Sequence, residues 1–416
     1  MKKFLWILLL VLLVAGVAAS ITTGRMFHAE LQKVTTESVR DPRIELVLNE
    51  VEEGLFSSSG QQTLAMNLDA ETRLLIETRW QASHLPGWLN FNGDVNLKAE
   101  SLQDGETIDL LQELGITPLT YVGKADWNKA TYRLVLEPFN LQEAGVLLES
   151  SGLVHEGVYH YTGQQVGQLR MDHLQARGQG YNTSNLDLAG LLMTFEQRVD
   201  YPWSKGQIEL TFESLDFSGS QGNVQINKPL WQLQLDFTKK AFDLLMKLDL
   251  GEVTSDGKSL AAGRLTLRTK QLDGQAMADL LEQMDGQMGF DPLSESQNQA
   301  LLATTDRLLA SSPQLLLEQL EFSLKAPMEF DQKVHGSLSF DGTNLPTDYL
   351  LQLSLGQLGT EDFFSRVRLE LVFDQINPIL LLMLGIPPYM VDNPDQEQHL
   401  LLENGELRLN GQLMPL

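Results

Sequence analysis

The side chains best equipped for chemistry are dispersed along this chain. Its seven histidines fall at positions 28, 84, 155, 160, 173, 335 and 399, and cysteine is absent. That absence removes disulfides, thiolate metal sites and cysteine nucleophiles, and leaves the redox compartment unmarked. His155-Glu156-Gly157-Val158-Tyr159-His160 superficially resembles a zinc-protease signature, in which two histidines four apart share one helical face. Here the gap is five and the surrounding Gly157-Val158-Tyr159-His160-Tyr161 reads as strand, where such positions point to opposite faces. Two imidazoles so placed cannot chelate one ion.

Serine hydrolysis needs a serine on a strained elbow, supported by a histidine and an acid. Gly54-Leu55-Phe56-Ser57-Ser58-Ser59-Gly60 lacks the Gly-x-Ser-x-Gly turn, and Ser218-Gly219-Ser220 has ordinary turn composition. Carboxylate pairs occur at Glu52-Glu53, at Glu361-Asp362 and at Asp392 with Asp395, but 55 acidic residues make such adjacency expected. They read as a solvated acidic face. A glycosidase would need two carboxyls converging from distant positions, which spacing cannot display. Trp88, in His84-Leu85-Pro86-Gly87-Trp88, reads as a core or hairpin anchor rather than a sugar platform. No catalytic, cofactor-binding or metal-binding residue is assigned, no cofactor is expected, and the chain reads as a non-enzyme.

The elements that would carry any site are strands. Period-two alternation, the mark of a sheet with one buried and one wet face, runs through the chain. It shows at Ile44-Leu46-Leu48, Phe91-Val95-Leu97, Tyr132-Leu134-Leu136, Ile208-Leu210-Phe212 and Trp231-Leu233-Leu235-Phe237. It returns at Leu265-Leu267, Leu338-Phe340, Leu351-Leu353-Leu355, Val367-Leu369-Leu371-Phe373 and Leu407-Leu409. Asn404-Gly405 between two apolar runs predicts a type I′ hairpin. Such alternation implies extended antiparallel sheets and disfavours a doubly wound nucleotide-binding fold. Helices are expected at Glu106–Leu114 before Gly115, Gln275–Met284, Ser294–Ala310 and Ile376–Leu384. Polar stretches near 178–185, 253–260 and 391–398 read as loops. The fold class is therefore mainly β with some helices, α+β. The expected organisation is a leader at 1–21, a helical or flexible stalk at 22–42, a first antiparallel β-rich region at 43–274, a helical insertion at 275–312 and a second β-rich region at 313–416.

The leader carries the compartment. Lys2 and Lys3 precede an uncharged apolar run from Phe4 to Ile21, ending in the small residues Val17-Ala18-Ala19-Ser20. This is a secretory signal whose lysines favour a cytoplasmic N-terminus, sending the body across the membrane. As a helix the run spans about 27 Å against a hydrocarbon core of about 30 Å. It is thus expected to persist as a transmembrane signal anchor, with cleavage after Ala19 as the other outcome. The formal charge of −25, from 30 basic and 55 acidic residues, repels phosphate backbones and excludes nucleic acid as a partner.

Three stretches carry a family resemblance. Glu53-Gly54-Leu55-Phe56-Ser57-Ser58, Gly263-Arg264-Leu265-Thr266-Leu267 followed by Leu272-Asp273-Gly274, and Asn404-Gly405-Glu406-Leu407-Arg408-Leu409-Asn410-Gly411 resemble segments of the YdgA-like bacterial envelope proteins. Glu52 and Glu53 depart from the aromatic or basic residues common there. The resemblance implies attachment to the inner membrane with the body in the periplasm, in a family whose domain has no assigned activity. The expected partners are the inner membrane, through residues 4–21, and a lipid or an envelope protein. Two functions follow: holding a hydrophobic ligand such as lipid on an apolar sheet face in envelope maintenance, or docking a protein through the acidic surface or strand edges. Which applies turns on whether the apolar faces close on each other or leave an open groove.

Overall fold

The computed structural model describes residues 22, 23, 25, 28, 29, 32, 44–68, 71–143, 145–178, 184–200, 203–219, 222–285, 294–325, 329–377, 380–381, 391 and 393–414. The leader expected at 1–21 lies outside the described residues, among which no helix is long and apolar enough to cross a membrane. Of the expected stalk, Thr22, Thr23, Arg25, His28, Ala29 and Gln32 are described, and they are helical. The chain divides into two compact units, one of residues 1–180 with 191–201 and one of 181–190 with 202–416. Both are mainly β.

Unit 1 begins with β1 (Ile44–Glu53), β2 (Ser57–Asn67), β3 (Thr72–Leu85) and β4 (Trp88–Ser101), each paired antiparallel with the next. The far edge of β4 is shared by β5 (Thr107–Asp109) and β6 (Leu119–Ala125). From β6 the ladder continues to β7 (Lys129–Leu136), β10 (Leu153–His160) and β11 (Gln164–Gly178). A hairpin of β8 (Phe139–Glu143) and β9 (Val146–Ser150) occupies the remaining length of β11. The following strand, β12 (Asn185–Asp200), contributes its first residues to unit 2 and its later ones to unit 1.

In unit 2 the ladder runs from β13 (Trp203–Thr211) to β16 (Leu230–Phe237), β17 (Phe242–Ser255), β18 (Lys258–Lys270), β19 (Gln314–Leu324) and β20 (Phe330–Phe340). It ends through β21 (Val367–Phe373), β22 (Gln398–Glu403), β23 (Glu406–Leu409) and β24 (Gln412–Leu413). The hairpin of β14 (Ser214–Gly219) and β15 (Gly222–Asn227) joins the start of β12 to the end of β17. All these pairings are antiparallel. One register row reads Ile208, Leu233, Met246, Leu267, Leu317, Gly336, Leu371, Leu400 and Leu409. The opposite face is wet and carries a charge ladder in which Arg264 reaches Asp249 at 2.8 Å and Lys333 reaches Glu321 at 3.2 Å.

Helices cover patches of the apolar face in unit 2. Between β18 and β19 lie α2 (Gly274–Asp285) and α3 (Glu295–Ala310). Ser294 and Gln297 form a full capping box on α3. Ala278 of α2 closes over Phe237 and Phe242. Further along the strands, Ile376, Leu381 and Val391 close over Val334, Phe373, Leu400 and Leu409. Leu381 and Leu409 are 1% and 0% exposed, each contributing roughly 1.5–3 kcal/mol.

Several expectations need correction. The stretch 275–312 does not divide the β structure into separate sheets: it is inserted between β18 and β19, which hydrogen bond directly from Ala261–Leu324 to Lys270–Gln314. Glu106–Leu114 is helical only over α1 (Leu110–Glu113), because Thr107–Asp109 pairs with β4 and the Asp109 carboxylate caps the Gln112 N–H. Leu351-Leu353-Leu355 is no strand. Tyr349, 0% exposed against Phe340, anchors the helix α4 (Tyr349–Ser354), whose Leu350 N–H is held by the Asp306 carboxylate. A second helix, α5 (Thr360–Arg366), follows it. The stretch 253–260 is no loop, since Ser255 pairs with Lys258 around Asp256-Gly257, both at positive φ. The predicted Asn404-Gly405 turn is present, flanked by the pair Glu403–Glu406, at φ values of 54° and 77°. Residues 378–379 and 382–384 of the last expected helix lie outside the described residues. Trp88 opens the β3–β4 hairpin, but at 54% exposed it is no core residue.

Gly60, Gly93, Gly123, Gly157 and Gly167 of unit 1 stand where a neighbouring ring crosses the strand. A Cβ on Gly93 would lie 2.0 Å from the Arg79 carbonyl oxygen and 2.5 Å from the Tyr121 hydroxyl. Gly93→Ala is expected to lower the stability of the sheet by about 1–3 kcal/mol. Gly219→Ala, whose nearest contact is 3.8 Å, is expected to stay within about 0.5 kcal/mol. Urea denaturation midpoints of the two variants check the contrast, and equal midpoints would refute it.

Candidate functional site

Register rows define the two faces of the unit 1 sheet. One row reads Gly60, Trp80, Gly93, Tyr121, Leu134, His155 and Leu169. The row two residues along reads Ser58, Ala82, Phe91, Gly123, Tyr132, Gly157 and Gly167. Leu64, Ile76 and Leu97 stand on the same face, as do Val95 with Leu119 and Leu136 with Leu153. The other face carries cross-strand ion pairs such as Lys98–Glu77 at 2.8 Å and Arg133–Glu156 at 3.4 Å. Pairs of this kind add little stability, and beside them the same face buries Ala65 and Leu75.

The apolar face is covered at one end and open elsewhere. Trp80, Ala82, Leu89 and Ala125 form the buried cluster, with Phe91, Tyr121 and Ala130 against it. Thr23 and His28 of the N-terminal segment lie here: Thr23 Oγ1 accepts from the Gly87 N–H, and the His28 ring stands 6.1 Å from that of Trp80. Away from this end the aliphatic residues Leu64, Ile76, Leu97, Leu119, Leu134, Leu136, Leu153 and Leu169 are all half-buried. An aliphatic chain fully packed in a closed core would be buried. The rows thus build an apolar surface several strands wide.

Two polar groups interrupt it. The first is beneath the N-terminal segment, where Ser58 Oγ lies 2.9 Å from His84 Nε2. The His28 ring stands 5.9 Å from that of His84, and His28 Nδ1 is 3.9 Å from the Glu53 carboxylate. Burial, then the neighbouring His28, push the His84 pKa down, against an opposing pull from Glu53. A neutral imidazole beside a serine hydroxyl has the elements of a base and a nucleophile. Ser58 and His84 are, however, only 5% and 3% exposed, so the hydrogen bond is shut inside the packing. It fastens β2 to β3.

The second is a hydrogen-bonded chain in the open stretch of the face. Gln197 Nε2 donates to Gln165 Oε1 at 3.2 Å, and Gln165 Nε2 donates to the Tyr132 hydroxyl at 2.8 Å. The Tyr132 hydroxyl lies 3.3 Å from His155 Nε2, with the two rings edge to face at 5.2 Å. Burial raises the Tyr132 pKa, against the Gln165 hydrogen bond, and burial lowers that of His155. Gly157 makes room for the phenol, since a Cβ there would lie 2.5 Å from its oxygen.

The residues weighed for metal binding are accounted for by register. His155 faces Leu134 and Leu169 on the apolar side, while His160, opposite Lys129, points to the other side. No group of three His, Asp or Glu side chains is gathered for a metal among the described residues. Motif reading missed both polar groups. For Gln165 and Gln197 the signal was available, because each amide stands on the parity otherwise held by Leu169 and Phe195. For Ser58 and His84 there was none, since their approach depends on the β2–β3 register.

The chain matches the model of a family described as a bacterial protein of unknown function (DUF945) over residues 1–346, and it belongs to that family. No curated protein and no solved structure matches it.

A depressed histidine pKa sets a sign for the pH dependence. The unfolded chain takes up the His84 proton near pH 6.5, before the folded protein does. The stabilisation from neutral His84 is therefore full above about pH 6.5 and is lost as pH falls toward the folded value. His155 acts in the same sense. The thermal midpoint is expected to fall on acidification from pH 7 to pH 5, and to fall less in His84→Gln. Ser58→Ala is expected to cost about 1–3 kcal/mol at pH 7 by stripping the buried imidazole of its partner. A midpoint that is flat or rises on acidification contradicts the assignment.

Proposed function

We propose that this member of a bacterial family of unknown function is a non-enzymatic, inner-membrane-anchored periplasmic protein whose open apolar sheet face holds a hydrophobic ligand such as lipid. The half-buried aliphatic rows from β2 to β11 carry the reading. A face of this width left open to water in a soluble body is an interaction surface. Acyl chains match it because they demand apolar contact and few hydrogen bonds.

Two further observations support the placement. The apolar run Phe4–Ile21, behind two lysines, has the form of a membrane-inserted export signal. Thr23, two residues beyond it, already touches the sheet at Gly87, which would hold one end of the face close to the bilayer. The resemblance to YdgA-like envelope proteins points to the same compartment. The polar groups found on the face are a shut hydrogen bond and a chain of neutral donors, so the role proposed is to hold rather than to transform.

The second reading is a scaffold that docks an envelope protein through its acidic surface or a strand edge. It is favoured by β1, whose described pairing is to β2 and which carries Glu45, Glu50, Glu52 and Glu53 beside the exposed Val47 and Val51. Such an edge can add a strand from a partner.

The full chain, expressed with its leader in a Gram-negative bacterium, tests both. Protease added to spheroplasts is expected to digest the body while cytoplasmic markers survive. Lipid extraction and mass spectrometry of the purified protein are expected to recover acyl lipid near one equivalent, reduced at least fivefold in Leu134→Arg. Lipid-free protein that captures an envelope partner in a salt-sensitive manner would favour the scaffold. A body shielded from external protease would overturn the compartment.

A further inference from the structure

We infer that the chain Gln197–Gln165–Tyr132–His155 is a polar docking point for the ester carbonyl of an acyl glycerolipid, its aliphatic tail lying along the neighbouring leucines. The inference rests on the reading of this face as a lipid-binding surface and names the class of lipid.

The argument is one of hydrogen-bond direction. The Gln197 amide N–H donates to Gln165, and the Gln165 amide N–H donates to the Tyr132 oxygen. Of the two ways to place the protons, the one that limits the phenol oxygen to a single acceptance directs its own proton to His155 Nε2. The imidazole then carries its hydrogen on Nδ1, a tautomer assigned by the network. Every donor in the chain points toward His155, and the last one, Nδ1–H, has no protein acceptor among the described residues. Aligned donors polarise one another, which makes this terminal N–H a strengthened donor.

Its setting selects the acceptor. His155 stands in register between Leu134 and Leu169, and its ring lies 5.5 Å from that of Phe195, which is itself buried. Burial holds the imidazole neutral. A neutral donor among leucines does not compensate the cost of desolvating a carboxylate or a phosphate. An ester carbonyl is a neutral acceptor joined directly to an alkyl chain, and it satisfies both the donor and the leucines. Polar side chains placed on an apolar wall in this way are how ligand pockets fix orientation.

Monolaurin and 1-O-dodecylglycerol differ in one carbonyl, and they probe the inference on the full purified chain, below their aggregation concentrations. Calorimetry is expected to show the ester bound about five- to tenfold more tightly than the ether, the effect of one net hydrogen bond. Tyr132→Phe and His155→Phe, which keep a ring at each position, are expected to bind both probes equally at the ether's affinity. Gln165→Leu is expected to shrink the preference. Thermal midpoints close to that of the parent verify folding of each variant. If the parent binds both probes alike, or the variants keep its preference, the docking point is overturned while the lipid-binding face stands. If neither probe binds the parent, the lipid-binding reading fails and this one with it.

Discussion

Strand alternation is the constraint on which this molecule depends. Side chains two apart share a face, so a sequence that places apolar residues at every second position commits one whole side of each sheet to avoiding water. The polar side is then free to be solvated and ion-paired, as the ladder Asp249, Arg264, Glu321 and Lys333 shows. What remains is to cover the apolar side. Each unit meets that requirement in patches.

In unit 2 the cover comes from the chain itself. The helices inserted between β18 and β19 close over Phe237 and Phe242, and the segment after β21 closes over Phe373 and Leu409. Each insertion leaves and re-enters the sheet at neighbouring strands, so antiparallel pairing continues beneath it. In unit 1 the cover is partial. Aromatic rings crossing onto glycines, and a few residues of the N-terminal segment, close one end around Trp80 and Leu89. The aliphatic rows beyond stay half-buried, as Ile208, Leu233, Met246, Leu267 and Leu317 do in unit 2, and the functional reading rests on the rows of unit 1 because a polar chain stands among them.

Polar groups on the apolar face acquire meaning by where they stand along it. Ser58 and His84, under the covered end, form a closed hydrogen bond whose worth is structural. Tyr132 and His155, among the half-buried leucines, form a hydrogen-bonded chain with Gln165 and Gln197. The same residue types thus serve as a fastener in one place and a candidate contact in the other, because exposure differs.

The sequence by itself determined the mainly β class, the alternating face of many strands and the Asn404-Gly405 turn. Period two and the Asn404-Gly405 pair are local properties of the backbone, settled within a few residues. It also excluded a chelate between His155 and His160, since parity along one strand suffices for that. Where local signals compete it misled, as in the helix at Tyr349, where a buried ring outweighed alternating leucines. Only the tertiary structure decided which patches of apolar face are covered. Only the tertiary structure brought Ser58 to His84 and Gln197 to Tyr132, because those meetings depend on register and strand order between residues far apart in the chain. Open surface is a property of what fails to pack, and no single strand carries that information.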